Sequence, residues 1–149
     1  MESSEMRRIP PIKAVMTPFP NSIEVGRTLA EARKMMAAHD IRHLPVMEHG
    51  DLVGVITDRD VRLATEAAGG RESQSGVQIR EICLRETYVV DLAEPLDRVL
   101  LHMARHHIDS ALVVKDKRLA GIFTMTDACR SFGELLRTLF PAGGDDRVA

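Results

Sequence analysis

The chain has 149 residues, enough for one compact domain or for two small subdomains that share a core. Hydrophobic residues make up 44% of it and charged residues 28%, a composition that excludes an intrinsically disordered chain. The formal net charge is −2, and the aromatic residues are only one Tyr and four Phe, with no Trp. Nucleic acid is therefore not an expected partner, because both the positive charge and the stacking surface that it requires are lacking.

The beginning of the chain, MESSEMRRIPP, contains acidic residues and lacks the apolar core of a signal peptide. No apolar run approaches the roughly 18 residues that a membrane-spanning helix needs. We therefore predict a cytoplasmic protein with no membrane partner. Cys83 and Cys129 show no metal-site or disulfide spacing, so they are interpreted as small buried residues or as free thiols.

After a flexible segment at residues 1–12, the first predicted strand lies at Asn21–Val25. A helix is predicted at Thr28–His39, because Leu29, Ala32 and Met36 fall on one helical face. Thr28 and Glu31 have the spacing of a capping box, which fixes where this helix begins.

Two apolar runs follow, LPVM and LVGVI, joined by the polar turn EHGD, and together they predict a β-hairpin. Directly after the hairpin come Thr57 and Asp60, and then a helix predicted from Asp58 to about Ala67. The stretch Ala67–Gly76 is rich in Gly and Ser, so we predict a mobile linker there.

The second half of the chain repeats this pattern at one constant offset, with no gap. The offset carries GVITDRD (54–60) onto GIFTMTD (121–127), and Leu29 onto Leu96. It predicts a helix that begins after Pro95, a hairpin made of ALVV and LAGIF, and a last helix from Met125 to about Phe140. The fold class is therefore α+β, with two β-α-β-β-α units packed about a pseudo-twofold axis.

The duplicated unit resembles a tandem pair of cystathionine-β-synthase (CBS) domains, also called a Bateman module. The resemblance rests on VMTPFPNSIEV, IRHLPVM and the two Gly-x-x-Thr-x-x-Asp strings, and it covers about residues 15–130. On this basis the first repeat is expected at residues 13–68, a linker at 69–78 and the second repeat at 79–132. Residues 133–149 are expected to form the end of a helix and a flexible tail.

The repeated Thr-x-x-Asp string has two interpretations. In the first, Thr57 and Thr124 only cap helices, and Asp60 and Asp127 lie in the first turn near the positive end of the helix dipole. In the second, free amides at the helix start bind phosphate, while the hydroxyl and carboxylate contact a nucleotide. Gly54 and Gly121 favour the second interpretation, because glycine within a strand often marks the close approach of another group.

The resemblance implies that each aspartate binds the ribose of an adenine nucleotide and that each cleft combines residues of both repeats. A first cleft would combine the motif of the second repeat with residues of the first repeat: Thr124, Thr126, Asp127, Asn21, Ile41, Arg42, His43 and Pro45. Arg42 and His43 can donate hydrogen bonds to phosphate, so this cleft is expected to suit an anion.

A second cleft would combine Thr57 and Asp60 with residues of the second repeat: Tyr88, Ile108, Asp109 and Ser110. Asp109 takes the place that Arg42 has in the first repeat, so a phosphate would meet a like charge, with Arg59 as a group that could offset it. Leu112 likewise replaces Pro45. We expect weaker phosphate binding here, with an uncharged nucleoside still accepted.

Catalysis and metal binding find little support in the sequence. No Ser/His/Asp or Cys/His arrangement is recognisable, and no pair of carboxylates can be assigned to acid–base work. His102 and His106 are spaced as helical metal ligands, but a solvated or packed helix face explains them better. We predict no enzyme activity, no metal and no required cofactor.

The apolar residues of Ser131–Phe140 extend beyond the repeat and predict a contact between two chains, with packing inside one chain as the alternative. The sequence thus predicts a homodimeric regulatory module that binds AMP, ADP or ATP between its repeats and acts on an unidentified protein. The alternative is a dimeric interaction module that binds no ligand, in which the repeated motifs are only caps.

Overall fold

The computed structural model describes residues 7–70, 76–82 and 87–142. Cys83 lies outside these residues, as does the middle of the predicted linker. In chain order the elements are β1 (Thr17–Pro18), β2 (Ile23–Glu24), α1 (Leu29–His39), β3 (His43–Glu48), β4 (Asp51–Thr57), α2 (Asp58–Ala67), β5 (Val89–Asp91), α3 (Leu96–His106), β6 (Ser110–Lys115), β7 (Arg118–Thr124) and α4 (Met125–Leu139). The predicted α+β class and its duplicated element order are confirmed.

The first repeat forms a three-stranded sheet in the order β2-β3-β4, with β2 parallel and β4 antiparallel to β3. Helix α1 covers this sheet and buries Leu29, Ala32 and Met36, the face that its periodicity predicts. Its capping box is formed: the Glu31 amide donates to Thr28 Oγ1 at 3.2 Å, and the Thr28 amide donates to Glu31 Oε2 at 3.0 Å.

The second repeat forms the equivalent sheet β5-β6-β7, which gains a fourth strand at its edge. That strand is β1, which precedes the first repeat's own strands in the chain but pairs antiparallel with β7, Thr17 opposite Ile122 and Pro18 opposite Gly121. The sequence did not predict this strand. It ties the N-terminal segment of the chain to the second repeat.

A further exchange links the two cores. Ile12, in a 3-10 turn at Ile12–Ala14, is fully buried in the core of the second repeat. Ile79, its equivalent at the repeat offset and in the same kind of turn, is fully buried in the core of the first repeat. The amide of Ile12 donates to Glu94 O and that of Ile79 to Arg27 O, both at 2.8 Å. Each repeat therefore completes the hydrophobic core of the other.

Helix α4 behaves differently from the other helices. In it only Asp127, in its first turn, is buried, while large apolar side chains further along stay exposed. The exposed fraction is 62% for Phe132, 50% for Leu135 and 51% for Leu139. Cys129 is an exposed free cysteine, so of the two interpretations of this residue the free thiol is the one that holds.

Candidate ligand-binding site

A cavity of about 380 Å³ opens between the two repeats at the start of α2. The first repeat contributes the end of its hairpin and the first turn of α2, and the second repeat contributes the segments before β5 and β6. The residues that line it are His43, Val55, Thr57, Asp58, Arg59, Asp60, Thr87, Tyr88, His107, Ile108, Asp109 and Ser110. It therefore brings together Thr57, Asp60, Tyr88 and Ile108, the residues predicted for the second cleft.

Thr57 and Asp60 form a capping box at the beginning of α2. The Thr57 amide donates to Asp60 Oδ2 at 2.9 Å, and the Asp60 amide donates to Thr57 Oγ1 at 3.1 Å. Within the described parts of the chain, Asp60 Oδ1 accepts no hydrogen bond. One carboxylate oxygen thus positions the side chain, while the other is available to a hydroxyl donor in the cavity.

The amides at the start of α2 are not free, in contrast to what the phosphate interpretation assumes. The Asp58 amide donates to Arg42 O at 3.0 Å, and the Arg59 amide donates to Asp58 Oδ1 at 2.9 Å. With the capping box, every amide from Thr57 to Asp60 has an acceptor in the protein. An anion bound here would have to displace one of these bonds.

His43 lies on a wall of this cavity, whereas the sequence analysis grouped it with Asp127. The register of the hairpin explains its position, because His43 is directly opposite Thr57 across β3 and β4. Burial lowers the pKa of His43 below its usual value, although the negative charges of Asp109, Asp58 and Asp60 oppose this shift. Its imidazole is therefore neutral at neutral pH.

The aromatic ring of Tyr88 belongs both to the cavity and to a short stack of rings outside it. Tyr88 and His102 are stacked with their centroids 4.2 Å apart, and His102 and His106 follow at 4.3 Å. Partial burial and the charge of Glu94 raise the pKa of Tyr88, so its hydroxyl stays protonated. The stack holds the Tyr88 ring in place as a flat wall.

Asp127 has the same motif as Asp60 but a different environment. Its Oδ1 accepts hydrogen bonds from Thr17 Oγ1 at 3.2 Å and from Arg130 Nη1 at 3.3 Å. Its Oδ2 accepts from the Thr124 amide at 2.9 Å and from the Thr124 hydroxyl at 3.3 Å. Both oxygens are thus engaged, and the residue is only 5% exposed.

The other residues predicted for the first cleft differ in their exposure. Pro45 is fully buried within β3, and Ile41 packs against the core of the first repeat. Arg42 is exposed, and its carbonyl oxygen accepts a hydrogen bond from the start of α2. Asn21 and Thr126 are also exposed. The cavity at Asp60 corresponds to the second predicted cleft, for which weaker phosphate binding is expected.

Gly121 explains part of the difference between the surroundings of Asp127 and those of Asp60. A Cβ atom at this position would lie 3.0 Å from Thr17 O and against the side chain of Met16. The close approach that its glycine predicts is thus real, but the approaching group is the chain's own N-terminal segment. Thr17 was missed because the role of a two-residue strand depends on a partner far away in the chain.

Asp58, Val55 and His107 were also missed as cavity residues. A local signal was present for Asp58, which directly follows Thr57 at the start of the helix. The repeat offset provided a signal for His107, since it equates this residue with Asp40, which ends α1. Both His107 and Asp40 adopt left-handed backbone conformations, with φ of 53° and 50°.

Among residues 7–70, 76–82 and 87–142, no group of three or more His, Cys, Asp or Glu side chains is arranged to hold a metal ion. In the same part of the chain, no helix is long and apolar enough to cross a membrane.

The CBS-domain family model matches this chain twice, at residues 12–66 and 79–134. The chain therefore belongs to the CBS-domain family, as a tandem pair. It is 32% identical over 116 residues to the CBS domain-containing protein YhcV of Bacillus subtilis, an alignment that covers 78% of this chain and 81% of YhcV. It is 34% identical to the L-aspartate semialdehyde sulfurtransferase of Methanocaldococcus jannaschii over 82% of this chain, but it spans only 23% of that enzyme.

Solved structures show the same fold. The putative acetoin utilization protein AcuB of Vibrio cholerae superposes with a TM-score of 0.79 at 25% identity, covering 91% of this chain and 99% of AcuB. The CBS domain pair of protein MJ0100 superposes with a TM-score of 0.73 at 32% identity, covering 86% of this chain and 99% of that one. That domain pair was solved in complex with 5′-methylthioadenosine and S-adenosyl-L-methionine.

Proposed function

We propose that this protein is a regulatory module that binds a small adenosine-containing ligand in the cavity at Asp60. The sequence predicts AMP, ADP or ATP as this ligand, and the similar CBS pair of MJ0100 binds 5′-methylthioadenosine and S-adenosyl-L-methionine. All of these compounds share the adenosine part, and the proposal rests on that part. Ligand binding would alter how the two repeats sit together and so signal to a partner protein.

The observation that carries this proposal is the free Oδ1 of Asp60 in a cavity built by both repeats. A carboxylate oxygen that is held in place but still open can accept a hydrogen bond from a ribose hydroxyl. The cavity of about 380 Å³ falls in the size range of small-molecule sites. Val55, Ile108 and the fixed ring of Tyr88 provide apolar and aromatic surface for a flat base.

Isothermal titration calorimetry with adenosine, AMP, ATP and S-adenosylmethionine tests this function. We expect at least one compound to bind, and we expect Asp60→Asn to weaken its binding about tenfold or more, because a hydrogen bond to a charged group is lost. Asn keeps the acceptor that the Thr57 amide requires, so the cap survives. Asp116→Asn, in the exposed turn between β6 and β7, is the matched control and should leave binding unchanged. Heat from none of the four compounds would contradict the proposal.

The second candidate is an interaction module that binds no ligand. The exposed apolar face of α4, which includes Phe132, Leu135 and Leu139, specifically favours it. The same face fits the predicted homodimer, since a second copy would cover it. The two candidates differ in one outcome: the interaction module keeps its oligomeric state and partner binding in Asp60→Asn, whereas the ligand sensor loses its response to ligand.

A further inference from the structure

We propose that the cavity at Asp60 selects adenosine compounds with an uncharged or positively charged 5′ substituent and discriminates against 5′-phosphates. Asp109 is the residue that sets this preference. The inference rests on the proposed function and specifies which chemical class of ligand the site accepts.

The first support is the charge of the cavity wall. Asp58, Asp60 and Asp109 all line the cavity, and among the lining residues that the structure describes Arg59 is the one arginine or lysine. Arg59, Asp58 and Asp109 are all exposed, so water screens these three charges alike, and one arginine stands against three carboxylates. His43 adds no positive charge at neutral pH, because burial lowers its pKa. The wall therefore carries more negative than positive charge.

The second support is the size of the cavity, because any group bound inside it lies near these carboxylates. A sphere of 380 Å³ is only about 9 Å across, close to the screening length of roughly 8 Å at physiological salt. A phosphate could not be placed in such a volume beyond the field of the three aspartates. An ammonium or sulfonium group would be attracted by the same field.

The third support is the lack of free backbone amides for a phosphate at the start of α2. Helix N-termini bind anions through free amides, but here the amides of residues 57–60 all donate to protein acceptors. In the first repeat, the position equivalent to Asp109 is occupied by Arg42, whose side chain carries hydrogen-bond donors. In this cavity the position is occupied by Asp109, whose carboxylate carries only acceptors. Within the described residues its carboxylate has no hydrogen-bonding partner, so it can pair with a cationic or neutral donor group of the ligand.

Three ligands that differ only at the 5′ position test the inference: adenosine, AMP and 5′-amino-5′-deoxyadenosine, which carries an ammonium group. Calorimetry on the full chain at pH 7.0 should show that adenosine and the amine bind at least about tenfold more tightly than AMP. Asp109→Asn should reduce the ratio between adenosine and AMP affinities by about three- to tenfold. Asp58→Asn should shift the ratio in the same direction, which covers the case in which the first variant folds poorly.

Asp116→Asn provides the control for total charge, because it removes one exposed carboxylate far from the cavity lining and should change the ratio by less than about twofold. Equal or tighter binding of AMP by the unaltered chain would overturn the inference but leave the proposed function standing. Binding of none of the three ligands would overturn the inference, and it would overturn the proposed function as well if ATP and S-adenosylmethionine also gave no heat. An unchanged ratio in both Asp109→Asn and Asp58→Asn would show that these carboxylates do not set the preference.

Discussion

Asp60 and Asp127 show how the same motif acquires two different states. Each carboxylate accepts a hydrogen bond from the backbone amide of the threonine three residues earlier. The remaining oxygen of Asp60 accepts no hydrogen bond from the described residues, but that of Asp127 accepts hydrogen bonds from Thr17 and Arg130. Thr57 thus caps α2 through its side chain, whereas the Thr124 hydroxyl donates to Asp127. Thr17 and Arg130, which lie outside the motif, account for the difference between the two aspartates.

Gly121 should tolerate no side chain, because a Cβ atom would come within 3.0 Å of the Thr17 carbonyl oxygen, which belongs to the backbone of β1. We expect Gly121→Ala to lower the free energy of unfolding by about 1 to 3 kcal/mol through this overpacking. Gly133→Ala is the matched control, since a Cβ in this exposed part of α4 meets nothing within 4 Å. It should raise stability by about 0.5 to 1 kcal/mol. Urea unfolding of both variants measures the difference, and equal effects would contradict this account.

His43 should make stability depend on pH. Its pKa is lowered in the folded chain, so the unfolded chain binds a proton more readily once the pH falls to the ordinary value of about 6.5. The contribution of the neutral imidazole is therefore fully present above pH 6.5 and is lost as the pH falls through the folded-state pKa. The neighbouring charges are Asp58, Asp60 and Asp109, with Arg42 opposing them.

Urea unfolding of the unaltered chain and of His43→Gln between pH 7.5 and 5.0 checks this dependence. The variant should lose less stability across this range than the unaltered chain. Identical slopes would show that His43 is not the group responsible.

At the scale of single elements, α1 and α2 begin with the same capping box but differ in what lies beside it. Thr28→Ala should cost about 1 kcal/mol of unfolding free energy and leave adenosine affinity unchanged, because Thr28 lies outside the cavity at Asp60. Thr57→Ala should cost about as much and also weaken adenosine binding, because it removes the hydroxyl that the Asp60 amide contacts. Thermal unfolding and calorimetry of both variants separate the two effects. Equal loss of affinity in both would contradict the assignment of the site.

The helices and hairpins could be predicted from the sequence because their signals are local. Thr28 and Glu31 fix the start of α1, and α2 begins and ends where the pattern around Thr57 and Ala67 places it. The fourth strand of the second sheet could not be predicted, because Thr17–Pro18 pairs with a strand from the other end of the chain. The same reason applies to the two aspartates: the resemblance to CBS pairs predicted that Asp60 lies near Tyr88 and Ile108, but no local pattern predicted the hydrogen bond from Thr17 to Asp127.

At the scale of the whole molecule, the apolar face of α4 predicts how two copies meet. We expect Phe132→Glu and Leu135→Glu each to shift the protein from dimer to monomer, because a charge would be buried against apolar surface. Light scattering after size exclusion measures the mass. The exposed substitution Lys117→Glu, in the turn between β6 and β7, is the control and should leave the mass unchanged. A monomeric unaltered chain would contradict this role for α4.

Ile12 packs in the core of the second repeat and Ile79 in the core of the first, which limits how the chain can be cut or shortened. A protease cut between residues 70 and 76 would leave two fragments that each retain the other's missing core residue, so the nicked protein should remain one particle. A fusion protein that contained only one repeat would lack the isoleucine that the other repeat contributes to its hydrophobic core. The smallest portion that can be moved intact into another protein is therefore the whole pair, including the segment that carries Ile12.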